Sequence, residues 1–435
     1  MRIKSGSCPV THHTFLFSNL TAMLKNIAFL LLFAWGVNLN AQKTAISEDN
    51  IRRDITMLAS DEMKGRGTGT AEEFRAAQYI ADQFKAAGLT PKGDNGMWFH
   101  HFGFQKSSDP HGGMVDKDAP QVYSQNVVAW LDNGAANTIV IGAHYDHLGL
   151  GMDHNSLDAN PEGKIHNGAD DNASGTAGVL ELARYFAQNG VTEKHNFLFI
   201  CFSGEELGLI GSKKFTDYPT IDLGSVSFML NMDMIGRLNE EKRLVVGGVG
   251  TAPDFVPTMN NLNNNGISFK LDSAGIGPSD HTSFYLKNIP VLFFFTGQHS
   301  DYHKPSDDTE KINFPGQVQI LGLAVKVIDA LDAKPKLSFQ ETKANKEDTP
   351  RFKVTLGIMP DYTWEGEGVH VDGVTDGKPA SVAGLQKGDI IVKLGDFPVK
   401  NIQDYMKALS KFTKGDTTKV TVKRGTAEIT SNVTF

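Results

Sequence analysis

Phe197-Leu198-Phe199-Ile200-Cys201-Phe202 runs straight into Ser203-Gly204-Glu205-Glu206, so six unbroken apolar residues end in a small turn and two carboxylates. A short apolar run without alternation reads as a strand buried on both faces, the pattern of a parallel sheet covered by helices. An acidic pair on a charged helix would be ordinary solvated surface. At the end of a buried strand the same pair needs a reason. Adjacent residues leaving a strand at a turn point in different directions, so one carboxylate can hold a metal while its neighbour faces a bound water.

Similar runs lie on both sides of this one. Strands are expected at 138–142, 226–230, 244–246 and 291–295, with helices at 173–188 and 316–331. An earlier helix is expected after Gly65-Arg66-Gly67-Thr68-Gly69. Thr70 and Glu73 form a capping-box pattern there, Phe74, Ala77, Ile80, Phe84 and Ala87 supply an apolar face, and Gly88 and Pro91 end it. This alternation predicts an α/β domain over residues 42–334, with a mostly parallel sheet and helices on both faces.

In open α/β sheets ligands bind beyond the carboxyl ends of the strands. Those ends carry His144-Tyr145-Asp146-His147, Gly168-Ala169-Asp170-Asp171 at a helix start, Glu205-Glu206, Asn231-Met232-Asp233-Met234 and Asp301-Tyr302-His303. Carboxylates crowded at one edge resist ionisation, and cations relieve that. Imidazole nitrogens with carboxylate oxygens suit zinc or a similar first-row ion. Two histidines and at least three acids exceed what one open catalytic zinc uses, so a two-metal site with a bridging carboxylate is the natural count.

Taken in order, Gly65-Arg66-Gly67-Thr68-Gly69, His144-x-Asp146, Gly168-Ala169-Asp170-Asp171, Ser203-Gly204-Glu205-Glu206, Asn231-Met232-Asp233-Met234-Ile235-Gly236, Ser279-Asp280-His281 and Tyr302-His303-x-x-x-Asp307 resemble the co-catalytic zinc aminopeptidases. Glutamate carboxypeptidases and glutaminyl cyclases are relatives of that family. The resemblance implies a zinc exopeptidase-like fold and two zinc ions per chain. It places one ion on His144 and Asp233 and the other on Glu206 and His303, with Asp171 rather than Asp170 bridging them. It makes Glu205 the general base, Asp146 the acid that orients His144, and Tyr302 the hydroxyl that steadies the oxyanion. An aminopeptidase acting on peptides follows. The alternatives are a carboxypeptidase or glutaminyl cyclase of the same fold and, outside catalysis, a metal-free peptide-binding receptor or adaptor. The complete ligand set argues against the last.

Other features have plainer readings. The long connection from His147 to Asn167, with His147, His154 and His166, reads first as a solvated loop with spare histidines; the alternative is a wall of the substrate cleft, with one of these histidines on metal or substrate. Phe293-Phe294-Phe295 reads as buried strand rather than a specificity pocket, and Cys201 as a core residue. Asp280-His281 should start a helix, capped by Ser279 or Asp280.

Residues 335–350 shift to Lys, Glu, Asp, Thr and Pro and read as a solvated linker. A smaller β-rich domain, 351–435, is expected beyond it, with strands at 352–358, 368–374, 390–394 and 418–423 and a helix at 401–412. Ile402, Tyr405, Met406 and Leu409 give that helix one apolar face. Leu356-Gly357-Ile358 and the run from Pro379 to Ile391 resemble a PDZ domain. That resemblance implies capture of a peptide or protein C-terminus by strand addition.

The chain has 435 residues, a formal net charge of −8 and no basic block, which excludes the electrostatic footprint of a nucleic-acid binder. An apolar stretch after Lys25 that leads to Leu39-Asn40-Ala41 reads as a secretory signal over residues 1–41, cleaved near Ala41. The rest is expected to be exported to the periplasm or medium and to hold no membrane span. Cys8 falls in that leader, so Cys201 is left without a partner for an intramolecular disulfide.

Overall fold

A computed structural model describes residues 45–105, 121–153, 155–262, 264, 266–342, 354–360, 364, 366–374 and 377–435, with Met1 and Gly6. The signal stretch and residues 343–350 lie outside the described residues. Residues 46–435 form one unit, which holds two sheets with separate hydrophobic cores.

The first sheet has nine strands: β1 (Thr90–Pro91), β2 (Phe99–Gln105), β3 (Gln121–Leu131), β4 (Thr138–His144), β5 (Asn196–Phe202), β6 (Val226–Met232), β7 (Arg243–Gly247), β8 (Ser268–Leu271) and β9 (Val291–Phe295). Their order is β1-β3-β5-β4-β6-β9-β7-β8, with β2 on β3. The central strands β5, β4, β6 and β9 pair in parallel. β3 against β5 and β7 against β9 run antiparallel, so the α/β sheet is mixed, parallel where it carries the site.

Its burial follows the sequence pattern. Every residue of β4, β5, β6 and β9 is buried. Along β5, Phe197, Phe199 and Cys201 enter one apolar cluster while Leu198, Ile200 and Phe202 enter the other, so side-chain alternation delivers a continuous run to two cores. The first core takes the inner faces of helices α1 (Glu48–Leu58), α2 (Ala71–Ala86), α3 (Gly175–Gln188) and, later in the chain, Phe314–Asp332. The second takes Phe215 from α4 (Ile210–Asp217), then Phe284 and Tyr285 from the helix His281–Tyr285. With α5 (Phe255–Asn261) between, His281–Tyr285 is α6 and Phe314–Asp332 is α7. Among the described residues α7 alone is long and apolar enough to cross a membrane; its apolar residues are packed into the core.

Helix α2 starts as its pattern predicts, with the Thr70 side chain accepting from the Glu73 amide at 3.2 Å. Its buried face differs. Glu73 points inward and Phe74 is exposed, because the Glu73 carboxylate returns to the Gly69 amide at 2.8 Å and accepts from the Ser124 and Ser203 hydroxyls.

The second sheet is antiparallel: β10 (Ile358–Pro360), β11 (Val369–Val374), β12 (Ile390–Leu394), β13 (Phe397–Pro398), β14 (Thr417–Arg424) and β15 (Ala427–Thr434). Helices α8 (Pro379–Val382) and α9 (Ile402–Leu409) accompany it. Its core is built by Leu356, Val371, Ile391, Leu394, Ala408 and Val420. The strand expected at 352–358 begins only at Ile358, and 352–353 lie outside the described residues. The buried Asp389 carboxylate receives both ends of the Arg424 guanidinium at 2.7 and 2.8 Å.

The first half of the expected linker is no solvated spacer. Leu337 is buried, its amide donating to Ser227 Oγ, and Phe339 packs on the Tyr285 ring with centroids 5.4 Å apart. The Gln340 amide reaches the Thr251 carbonyl, and Thr342 Oγ1 accepts from the Gly275 amide. Two apolar residues among many charges suffice to strap 337–342 onto the first sheet.

Candidate metal centre and substrate cleft

Because β5, β4, β6 and β9 are neighbours, their carboxyl ends bring distant segments of sequence to one place. His144 is the last residue of β4, Glu205 and Glu206 follow β5, Asp233 follows β6, and the loop beyond β9 carries Tyr302 and His303. Asp171 comes from the turn ahead of α3, where Gly168 takes φ +58° and a Cβ would collide with the Asp171 carbonyl and the His147 ring.

His144 Nε2 lies 3.4 Å from Asp171 Oδ1, 3.4 Å from Asp233 Oδ1 and 3.9 Å from Glu205 Oε2. His303 Nε2 lies 3.2 Å from Asp171 Oδ2 and 3.1 Å from Glu206 Oε2. Asp171 thus turns one oxygen to each histidine. Asp170 faces away, accepting from the Gly236 amide at 2.7 Å and meeting His299 at 3.1 Å. Asp307 fixes this turn by accepting the Asp170 and Asp171 amides, both at 3.0 Å. Burial, reinforced by Asp170, raises the Asp307 carboxyl to about 6.

His144 Nδ1 meets the backbone carbonyl of Asp146 at 3.2 Å, while the Asp146 carboxylate stands 3.7 Å from it. That carboxylate accepts from Thr68 Oγ1 at 2.8 Å and from the Glu205 amide at 3.2 Å. Asp146 therefore steadies His144 through its main chain and the Glu205 turn through its side chain. The Gly65–Gly69 stretch contributes a second brace. Arg66 is fully buried, donating to the carbonyls of Tyr145, Asn167 and Gly168 at 2.7, 2.7 and 3.0 Å and to that of Leu58. Burial lowers its guanidinium to about 10.

The loop from 147 to 167 departs from its reading as solvated. His147 and His166 are both buried; His154 lies outside the described residues. His147 Nδ1 meets Glu206 Oε1 at 2.7 Å and stands 3.8 Å from Asp171 Oδ2. The same loop grips His303: Asn155 O pairs with its Nδ1 at 2.9 Å, Ser156 Oγ and the Leu157 amide donate to its carbonyl, and His166 Nε2 pairs with Ser156. His303 holds φ +54°, uncommon for a residue with a Cβ, inside that grip. A backbone carbonyl on Nδ1 sets the tautomer that leaves Nε2 open toward the acids.

Two triplets of ligand atoms fall within 4.8 Å of one another, His144 with Glu205 and Asp233, and His147 with Asp171 and Glu206. Four carboxylates share this space with no Lys or Arg among them in hydrogen-bond or ion-pair contact among the described residues. Divalent cations fit such a donor set. The two neighbouring glutamates differ. Burial pushes the Glu205 carboxyl well above its usual range; His144 pulls the other way and Glu206, Asp233 and Asp280 add to the rise. Burial also opposes charge on Glu206, yet His303 and His147 hold it well below that range. Asp280 stands at the start of α6, as predicted, but caps nothing with its side chain; it is fully buried and raised to about 7. Ser279 Oγ accepts from Asn231 at 2.8 Å instead.

A cavity of about 510 Å³ opens from His144, Asp171, Glu205, Asp233 and His303. Tyr302 lines it, its ring stacked on His303 at 3.9 Å. Phe293 and Phe295 are buried strand residues as expected, and they also form a wall of this cavity.

The model of peptidase family M28 matches residues 126–327, and that of the PDZ domain matches residues 321–435. The chain carries a peptidase family M28 domain followed by a PDZ domain. The M28 region is similar to leupeptin-inactivating enzyme 1 of Streptomyces exfoliatus, 30% identical over 193 residues, 43% of this chain and 38% of that protein. It is also similar to leucine aminopeptidase 1 of Uncinocarpus reesii, 30% identical over 238 residues, 50% of this chain and 58% of the other. The matches thus span about two fifths to three fifths of these relatives. In fold it resembles a zinc aminopeptidase from Bacillus subtilis, with TM-score 0.53, 18% identity, and 68% of this chain against 99% of that one covered.

Thr68, Arg66, Asn155 and Ser156 are site-building residues to which the sequence gave no role, and His147 takes up the contact that was only the alternative reading of its loop. The signal for the first two was present in Gly65-Arg66-Gly67-Thr68-Gly69, a polar run with no reason of its own. The others depend on contacts that only the folded loop supplies.

Proposed function

We propose that this chain is an exported, zinc-dependent aminopeptidase that releases N-terminal residues from peptides. The observation that carries this reading is the convergence of His144, Asp171, Glu206, Asp233 and His303 beside Glu205, all but Glu206 lining one cleft. His144 and Asp233 would hold one zinc ion, Glu206 and His303 the other, with Asp171 between. Zinc bound there would lower the pKa of water toward about 7 and polarise the scissile carbonyl. Glu205 then accepts the proton of the attacking water and returns it to the departing amine. Asp146 keeps His144 and the Glu205 turn in place, and Tyr302 offers its hydroxyl to the developing oxyanion.

On this reading residues 1–41 are the removed leader, 42–334 the catalytic domain, 335–350 the connection and 351–435 the PDZ domain, with a groove for a peptide or protein C-terminus. N-terminal sequencing of exported protein checks the leader: a start near Gln42 agrees, and retention of residues 1–41 contradicts it.

A panel of free and N-acetylated peptides, followed by mass spectrometry, tests the activity. Loss of one residue from free N-termini alone supports the aminopeptidase. Trimming of acetylated peptides from the other end would make it a carboxypeptidase, and loss of ammonia from N-terminal Gln a cyclase.

A further inference from the structure

The cavity before the catalytic centre is not enclosed by the M28 domain alone. Val245, Phe293 and Phe295 line it on one side, and Trp364, Ile402 and Met406, all from the PDZ domain, line it on the other. Phe293 and Phe295 stand two apart on β9 and so present one face, their rings stacked with centroids 5.7 Å apart. With Met234 and Val245 they form an apolar cluster of their own, beginning one residue from Asp233.

The facing wall is equally defined. Tyr405, Ala408 and Leu409 of α9 are buried in the PDZ core, whereas Ile402 and Met406, on the same apolar face by spacing, remain half-exposed and line the cavity. The Trp364 ring stacks on His370 with centroids 4.8 Å apart, and a Cβ at Gly366 would collide with the indole, so the glycine leaves the ring its room. Lys270 Nζ donates to the Trp364 carbonyl at 2.7 Å, tying this wall to β8 of the M28 domain.

Polar groups of Lys270, Asp272, Gln298 and Asp404 also line the cavity and can meet a peptide backbone, which leaves the apolar walls to receive a side chain that loses nothing among them. We propose that the PDZ domain completes the pocket for the substrate's N-terminal side chain. The enzyme then selects bulky apolar residues, aromatic ones above all, held between Phe293, Phe295 and Trp364. The inference rests on the aminopeptidase reading, and it gives the PDZ domain a role at the catalytic cleft besides any groove of its own.

The test compares alanine, leucine and phenylalanine amides as substrates of the full chain and of Trp364→Ala, Trp364→Phe and Met406→Ala, each checked for wild-type metal content and melting temperature. Wild type should favour phenylalanine over alanine. Losing one aromatic contact should lower kcat/KM for the phenylalanine amide about tenfold in Trp364→Ala, mainly through KM, and leave the alanine amide unchanged. Trp364→Phe should keep most of the preference, and Met406→Ala should weaken it less than Trp364→Ala. An equal fall for all three amides, or an unchanged phenylalanine preference, in a folded and metal-loaded Trp364→Ala would overturn the proposal. If wild type releases no ammonia from any of the amides, the aminopeptidase reading falls, and this inference with it.

Discussion

Glu205 and Glu206 leave the same strand one residue apart and enter opposite surroundings. Around Glu206 every direction is braced: His147 and His303 pair with its two oxygens, and the loop from 147 to 167 fixes both rings. Around Glu205 the nearest imidazole stands 3.9 Å away and the cleft opens in front. The first setting fixes a carboxylate between two rings, and the second leaves one facing the cleft. Adjacent identical residues thus acquire different chemistry from what the fold packs against them.

The largest effect is expected of Glu205→Gln, which keeps shape and removes the proton acceptor. Turnover should fall by about 10²–10⁴-fold with metal content and KM nearly unchanged. If the variant instead loses metal, the two glutamates have exchanged roles. Glu206→Gln should do the reverse, weakening one metal and recovering part of its activity when zinc is added in excess; full activity without added metal would contradict it.

His147→Ala acts on Glu206 from outside the ligand set. If Glu206 holds a metal as proposed, removing the ring that positions it should cost about 10–100-fold in metal affinity, read by competition with a chelator. Unchanged affinity would make His147 a packing residue only.

The site's frame was legible where burial alone decides structure. Runs such as 197–202 and 291–295 leave no choice but a strand covered on both faces, and a parallel sheet then gathers their ends. The flanking strands were not legible. β3 begins with polar residues and β15 alternates Ile429, Ser431 and Val433 with polar neighbours, so their pairing depends on partners, although Gly425-Thr426 marks the tight turn before β15. The histidines of the 147–167 loop looked solvated because nothing in a linear sequence shows that His303 will lie against them. Leu337 and Phe339 were outnumbered by charges in their segment, yet the pockets that receive them belong to Ser227 and Tyr285, over fifty residues away.

A smaller effect comes from Glu73, which supports the Glu205 turn from behind through Ser203. Burial raises its carboxyl from the usual 4.5 to about 7. The folded chain therefore holds a proton that the unfolded chain releases, and stability should decline as pH rises from about 4.5 to about 7, then level off. The full difference is at most about 3 kcal/mol at about 1.4 kcal/mol per pH unit. Glu73→Gln should flatten that slope in melting temperatures taken across this range; a parallel offset at every pH would contradict it.

The acids and imidazoles at the ends of β4, β5, β6 and β9, with Asp171 from the turn ahead of α3, are proposed to bind two metal ions for hydrolysis. Elemental analysis of the purified full chain, with amide hydrolysis followed as zinc is removed and restored, tests it most directly. The prediction is two zinc ions per chain, activity lost with them and regained on their return. A chain that holds no metal, gains no activity from zinc or cobalt and melts at the same temperature with or without them would contradict it.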